Sequence, residues 1–331
     1  MIPLDAILAR FPEQRALVVG DICLDRWCGY DPAYAEPSRE TGIPRIAVTR
    51  PESTPGAGGT IANNLVALGT GHVSVLGIFG DDGNAWELRR ALSARGIEHG
   101  LCVTHPQICT FTYTKLLNIA SGLEDQPRVD YINVDPIPPA AGQQVIRRLT
   151  EAVPDFDVIL VSDQAETAAG GVITPAVRDR LAALAGQFPD KVFWVDSRLR
   201  AEHFRNVILK PNEDEAAAAC ARLRGETDYQ QLRSRTQAPF LLVTHGPRGV
   251  LIVTESAETW VRTAPIAEPL DICGAGDSFS AGASIAYAIS RDPVAAARLG
   301  NLVASITIMK KGTGTTTQQE IRQAAAALSI P

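Results

Sequence analysis

The chain alternates short, wholly apolar runs with longer segments whose apolar residues recur at helical spacing. "ALVVG" (16–20), "VSVLGIF" (73–79), "DVILVS" (157–162), "KVFWVD" (191–196), "VILK" (207–210) and "FLLVTH" (240–245) are continuous rather than alternating. That is the pattern of strands covered on both faces. Between them the periodicity predicts helices over 60–69, 84–96, 139–153, 172–186, 212–224 and 227–237. Strand and helix in turn predict an α/β fold: a doubly wound, mostly parallel sheet with helices on both faces. Ligands are then expected at the carboxyl ends of its strands. The C-terminal third turns helical, over 276–290, 293–309 and 317–329. The middle segment, "PVAAARLGNLVASITIM", is apolar nearly all round and so predicted to be buried.

Two segments break this rhythm. Residues 26–50 hold three prolines and end in the strand-like "RIAVT", and residues 108–135 alternate like half-exposed strands around a turn. Neither fits a crossover helix. They are expected to form a small β-sheet lid on one domain spanning 1–331, although a pair of surface loops has much the same composition. Closure of such a lid would exclude water from chemistry at the strand ends.

Composition removes several classes. A chain of 331 residues can bury a large core, and its formal charge of −6 argues against a nucleic-acid binder. No apolar run reaches the roughly 20 residues of a membrane helix. The opening "MIPLDAILARFPEQRALVVG" lacks the basic-then-apolar pattern of a signal peptide. Six cysteines lie scattered without a CxxC pair, as reduced thiols do in a cytosolic protein. A cytoplasmic location is therefore expected.

The chemistry concentrates in "DICGAGDSFSAG" (271–282). Gly274, Ala275 and Gly276 let a backbone approach a ligand closely. A helix beginning at Asp277 would aim free amides and its positive dipole end at an anion. A carboxylate there repels phosphate, unless the amides hold a transferring phosphoryl group while Asp277 takes the proton of the attacking hydroxyl. Asp277 as a mere N-cap fits the same residues. Nearby Cys273 would have its thiol pKa lowered by such a helix start, although a packing role is the expectation. "GAGGTIANNLVALG" (56–69) follows no apolar strand, which disfavours a dinucleotide site. Gly58 and Gly59 would instead let a polar ligand lie on the backbone beside Asn63, with Asp21 and Asp25 gripping hydroxyls or serving as turn residues. In "LKPNEDEA" (209–216), Asn212 and Glu215 suit the waters of Mg²⁺ and suit a capping box equally. "THGPRGV" (244–250) and "KKGTGTT" (310–316) are glycine-punctuated turns, and the lone His245 reads as a packing residue.

In their order these segments resemble the ribokinase family, also called the PfkB carbohydrate kinases. "DICGAGDSFSAG" is similar to its C-terminal signature, "GAGGTIANNLVALG" to its N-terminal glycine motif, "KPNEDEA" to its Asn-x-x-Glu motif and "VTHGPRG" to its nucleotide loop. The resemblance runs from residue 16 to about 316. It implies a ribokinase-like fold, with Asp277 as catalytic base and the amides of Gly274, Ala275 and Gly276 as anion hole. Asp25, Gly58, Gly59, Asn63 and, more weakly, Asp163 match substrate-binding positions. Thr244, Gly246, Gly249 and Asn301 match nucleotide-binding positions. Asn212 and Glu215 match the magnesium–phosphate positions, so ATP and Mg²⁺ are implied. Asp271, with the 310–316 turn, matches where many members bind a monovalent cation such as K⁺.

Within the family, "GDICLDRWCGY", "TKLL" and "PRVDY" resemble the heptose-phosphate kinase branch. Where that branch has an "SDY-x-KG" segment this chain reads "SDQAETAAGG", and its "VDPKG" is "VDSRL", with Arg198 in the lysine's place. Lys115, Arg128 and Arg26 could hold a substrate phosphate or be solvated lid charges. No nucleotidyltransferase domain is expected. The resulting expectation is an ATP-dependent kinase of a sugar or sugar phosphate, with homodimerisation through the apolar lid. A nucleoside kinase would use the aromatics Trp27, Tyr30, Phe111 and Tyr113. A non-catalytic sensor, or third a dehydrogenase, completes the alternatives.

Overall fold

The computed structural model describes residues 2–264, 266 and 268–327. An eight-stranded sheet runs β14-β13-β12-β11-β10-β9-β1-β4. Its parallel members are β1 (Arg15–Gly20), β4 (His72–Leu76), β9 (Val158–Asp163), β10 (Val192–Ser197), β11 (Ile208–Leu209) and β12 (Leu241–Thr244). Two strands not anticipated from the pattern, β13 (Val250–Val253) and β14 (Glu258–Val261), close one edge antiparallel.

The continuous apolar runs are explained by burial on both faces. In β1, Ala16 and Val18 enter one core while Leu17 and Val19 enter the other. In β10, Val192 and Trp194 oppose Phe193 and Val195 in the same way. The first core is covered by α1 (Leu4–Ala9), α2 (Gly58–Ala67), α3 (Gly83–Ser93), α8 (Ala275–Ser290), α9 (Pro293–Thr307) and α10 (Gln318–Ala327). The second lies under α4 (Pro139–Ala152), α5 (Pro175–Gln187), α6 (Glu213–Arg224) and α7 (Tyr229–Thr236). As expected, α9 is largely buried. The last two residues of the helix expected over 317–329 lie outside the described residues. Among the described residues no helix is long and apolar enough to cross a membrane.

Several boundaries differ from the pattern for local reasons. The run 73–79 breaks at Gly77, where a side chain would meet the Gly20 carbonyl at 2.8 Å. β5 (Ile78–Phe79) leaves the main sheet there and pairs with β6 (Val103–Thr104). The helix expected from 172 starts at Pro175, because Thr174 caps it by accepting the Val177 amide. The two irregular segments pair into a four-stranded sheet, β3-β2-β7-β8, from β2 (Ile22–Tyr30), β3 (Val48–Ala57), β7 (Thr112–Asn118) and β8 (Val129–Tyr131). This sheet reaches further than 26–50, because β2 leaves β1 after one residue and β3 runs straight into α2.

That departure depends on Gly20, whose φ is +131° and whose added Cβ would lie 2.1 Å from the Ser162 carbonyl oxygen. Gly20→Ala should therefore force β1 from β9 and cost roughly 3 kcal/mol of stability, read as a fall in the urea midpoint. An unchanged midpoint would show that the strand ends separate freely.

Candidate active site

The central parallel strands end in polar residues, gathered at one edge of the sheet. Not all of them face a ligand. Asp21, just past β1 and 3% exposed, accepts the amides of Gln164, Ala165 and Val172 at 2.8–2.9 Å. Burial pushes its carboxyl up to about 6 despite those bonds. It clamps the loop after β9 with both carboxylate oxygens engaged by buried amides. Asp163 is likewise sequestered: it accepts Ser197 Oγ at 2.6 Å and Arg200 Nη1 at 3.2 Å and is 1% exposed. Asp163, expected at the substrate, is not among the residues that line the cavity beside Asp277.

Beyond them lies a buried ion pair absent from the expected set. Lys210, following β11, places Nζ 2.7 Å from Asp196 Oδ2 at the end of β10, and Ser280 Oγ donates to the same oxygen at 3.3 Å. Both members are almost fully buried. The signal in the sequence was a charged residue closing each of the runs "KVFWVD" and "VILK".

The start of α8 sits over this pair. Gly274 is the N-cap, in the left-handed region at φ +77°, and no side chain caps the helix. Asp277 thus occupies the first turn rather than the cap, against the helix start expected at 277, which removes its reading as a capping residue. The first turn leaves amides without intrahelical partners. Of the three in the expected anion hole, that of Ala275 turns to the Ile272 carbonyl at 3.2 Å. A side chain at Gly276 would come within 3.1 Å of Lys210 Nζ and 4.0 Å of Asp196 Oδ2, so glycine lets the helix rest on the ion pair. Burial, reinforced by Asp196, pushes the Asp277 carboxyl up to about 8, while Lys210 and Arg198 pull it back.

Asp277 and Gly274 line a cavity of about 210 Å³ whose other wall is the small sheet, with Asp25, Trp27, Tyr113, Lys115 and Arg128. Asp25 lies flat against Gly56, where an added Cβ would touch its carboxylate at 2.4 Å. Burial raises its pKa to about 6, and Lys115 and Arg128 oppose that rise. Lys115 Nζ stands 4.6 Å over the Trp27 ring and 3.6 Å from Glu124. Arg128 pairs with Asp130 at 2.7 Å, and Arg26 with Glu87. Of the other aromatics considered, Tyr30 and Phe111 are buried elsewhere. Thr60, Ala57, Gln164, Glu166, Arg198 and Thr313 complete the lining and were not anticipated as a set. Ala57 enters α2 at φ +50°, ψ −120°, a conformation that strains a residue carrying a Cβ. Cys273 lines the cavity too. Desolvation and neighbouring carboxylates push its thiol up, the reverse of the lowering expected.

The remaining expected residues lie around this cavity rather than in it. Gly58 and Gly59 pack α2 against Ile22 and Pro55, where added Cβ atoms would lie 2.6 and 2.5 Å from side-chain carbons. Asn63 braces β3, donating Nδ2 to the Pro55 carbonyl at 3.2 Å. Asn212 and Glu215 form the capping box of α6, Glu215 Oε2 accepting the Asn212 amide at 2.8 Å and Asn212 Oδ1 the Glu215 amide at 2.9 Å. Thr244 bridges to Asn212, its amide donating to the Pro211 carbonyl at 3.0 Å. Gly246 opens the turn after β12. Gly249, at φ +96°, and Asn301, on α9, both meet the Val261 carbonyl. His245 packs on Trp260 and places Nδ1 3.2 Å from Glu213. Asp271 accepts the amides of Cys273 at 2.9 Å and Gly312 at 3.0 Å, tying the 310–316 turn to α8. Among the described residues no three His, Cys, Asp or Glu side chains form a metal cage.

Comparison with known proteins gives this geometry its relatives. The profile of the pfkB family carbohydrate kinases matches residues 193–320, the span that carries Asp196, Lys210, Glu215 and Asp277. The bifunctional protein HldE of Koribacter versatilis is 30% identical over 327 residues, 96% of this chain. The chain spans 64% of that relative's length, and the same share of HldE from Trichlorobacter lovleyi, at 29% identity. Among solved structures, phosphofructokinase-2 from Escherichia coli in complex with potassium superposes with a TM-score of 0.72. It shares 18% identity, with 96% of this chain and 99% of that one covered. The fold is ribokinase-like.

Asp277 carries a stability cost that depends on pH. Its folded pKa of about 8 exceeds the ordinary 3.8, so the folded state binds the extra proton between those values. Stability from this group is complete below 3.8 and is lost as pH rises toward about 8. Asp277→Asn should therefore unfold at a higher temperature than the native chain, with a gap that widens from pH 5 to pH 8 and then levels. A gap independent of pH would contradict the raised pKa.

Proposed function

We propose that this chain, which resembles the pfkB family carbohydrate kinases over residues 193–320, transfers the γ-phosphoryl group of ATP to a hydroxyl of a sugar or sugar phosphate, with Asp277 as base. The observation that carries this reading is one cavity holding Asp277, the uncapped start of α8 and Asp25 against a wall of aromatic and basic side chains. Asp25 accepts from the acceptor's hydroxyls and Trp27 gives its ring an apolar face. The unpartnered amides of the first turn of α8 take the phosphoryl oxygens, and Asp277 removes the proton of the attacking hydroxyl. Thr244, Gly246, Gly249 and Asn301 lie on the side where the nucleotide enters.

Although no three carboxylates there form a cage among the described residues, the negative charge near Asn212 suits a hard divalent cation held through its waters. Asp196, Glu215 and Asp277 outnumber Lys210, and both Glu215 and Asp277 are raised by burial and by the charge of Asp196. Asn212 and Glu215 would hold Mg²⁺ through its waters, and the ion supplies neutralising charge to the phosphates. Asp271 and the 310–316 backbone are suited to K⁺. The small sheet and its connections expose Ile43, Leu123, Val129 and Val134, each at least half accessible. Such a surface supports a homodimer through the lids.

Two measurements test the reading. ADP release with ATP, Mg²⁺ and K⁺ should appear with one member of a panel of free and phosphorylated pentoses, hexoses and heptoses. Asp277→Asn should lower kcat roughly 10²–10⁴-fold while remaining folded. Turnover that survives this substitution would remove Asp277 as the base. Light scattering should give about twice 35.4 kDa, and Leu123→Glu with Val129→Glu should reduce it to a monomer. A native monomer at micromolar concentration would reject the lid interface.

A further inference from the structure

The cations of the cavity divide by which carboxylates feel them. Lys115 and Arg128 act on Asp25, at the end where the acceptor's hydroxyls lie. Lys210 and Arg198 act on Asp277 and Glu215, at the end where phosphoryl transfer takes place. Lys210 is locked on Asp196 and nearly inaccessible. Arg198 differs on each point. Its side chain lines the cavity with Asp277 and Gly274, it is 48% exposed, and it pairs with Glu166, which is 65% exposed. Its backbone is fixed, the amide donating to the Asp163 carbonyl at 3.0 Å beside Ser197, which itself donates to the Asp163 carboxylate. A long cationic arm thus stands on a rigid base and is held by a partner that water can replace at little cost.

We propose that Arg198 is a catalytic residue that leaves Glu166 and donates to the γ-phosphoryl oxygens during transfer. This rests on the kinase reading above. In the step it serves, the acceptor oxygen forms a bond to the γ-phosphorus as the bond from that phosphorus to the β,γ-bridging oxygen breaks. The electron pair of the broken bond leaves with ADP, and the hydroxyl proton passes to Asp277 and then to water. Arg198 takes up the charge spread over the equatorial oxygens, where a planar guanidinium matches two of them at once. Glu166 holds the arm clear of the cavity until a stronger anion competes for it.

The experiment compares the native protein with Arg198→Gln, Arg198→Lys and Glu166→Gln. Binding of ADP and Mg²⁺, with and without aluminium fluoride as a mimic of the transferring group, is measured beside kcat and KM. Arg198→Gln should bind ADP as the native protein does, lose most of the fluoride-dependent gain, and lower kcat by roughly 10²-fold or more on every acceptor. Arg198→Lys should recover part of the loss, and Glu166→Gln, which frees the arm, should increase the fluoride-dependent gain in binding. An unchanged fluoride gain in Arg198→Gln overturns the assignment. So does a defect confined to KM for phosphorylated acceptors, which would make Arg198 a holder of the acceptor's own phosphate. If the native protein binds neither form of the nucleotide, the kinase reading itself falls and takes the assignment with it.

Discussion

One ammonium group, that of Lys210, holds together a site with too much negative charge. It is nearly buried, 2.7 Å from Asp196, with Asp277 and Glu215 also in its field. Removing water from such charges is costly, and Coulomb attraction repays it only where geometry is close and the remaining valences are met. Here Ser280 supplies a further hydrogen bond and Gly276 lets the first turn of α8 settle over the pair. Burial, with the charge of Asp196 added to it, raises the pKa of Asp277 to about 8 against the pull of Lys210 and Arg198. A base in that state is mostly protonated at neutral pH. It becomes competent when further positive charge enters, which in a kinase site arrives with the nucleotide. The stability lost in burying these acids is therefore linked to the function proposed for them.

The same crowding fixes where side chains are absent. Asp25 is seated because Gly56 has no Cβ, and α2 meets β2 and β3 closely because Gly58 and Gly59 have none. Gly58 and Gly59 are expected from the sequence as places for a ligand to lie against backbone. The structure uses Gly58 and Gly59 to bring two elements together, and Asp25 reaches the cavity as a result. Position by packing and position by contact leave the same letters in a sequence. Only the neighbours tell them apart.

The alternating strands and helices were legible because a strand buried on both faces must be apolar throughout, and β1, β9 and β10 are. The second sheet was legible because 26–50 and 108–135 fit no crossover helix. The edge strands β13 and β14 were not, since the glycines and proline before them look the same whether a hairpin or a nucleotide turn follows. Asp277 and Asp25 are expected from the motifs, and both line the same cavity. For Asp21 a grip on hydroxyls and a turn role stayed open together, because a carboxylate after a strand looks alike whether it faces a ligand or three buried amides. Asp196 and Lys210 were missed for the converse reason: each is one ordinary charged letter, and their meaning lies in a pairing across 14 residues of chain.

Arg198 cannot be considered apart from the small sheet. The loop after β9 that carries Glu166 is held at one end by Asp21 and by Arg200, which donates to the Ala165 carbonyl at 3.1 Å. At its other end Thr167 Oγ1 donates to the Asn133 carbonyl at 2.8 Å, and Gly170 passes so close to that carbonyl that no side chain fits. Asn133 lies two residues beyond the end of β8 and bonds in turn to Cys109, before β7. Trp27, on β2, rests over Gly312 in the turn that Asp271 ties to α8. The small sheet is thus joined to both the loop that carries Glu166 and the turn that Asp271 ties to α8. A movement of that sheet onto an acceptor would shift Glu166 and the α8 turn together. Binding energy from the sugar end would then be spent in ordering charge at the phosphoryl end, which is where it can raise kcat rather than merely lower KM.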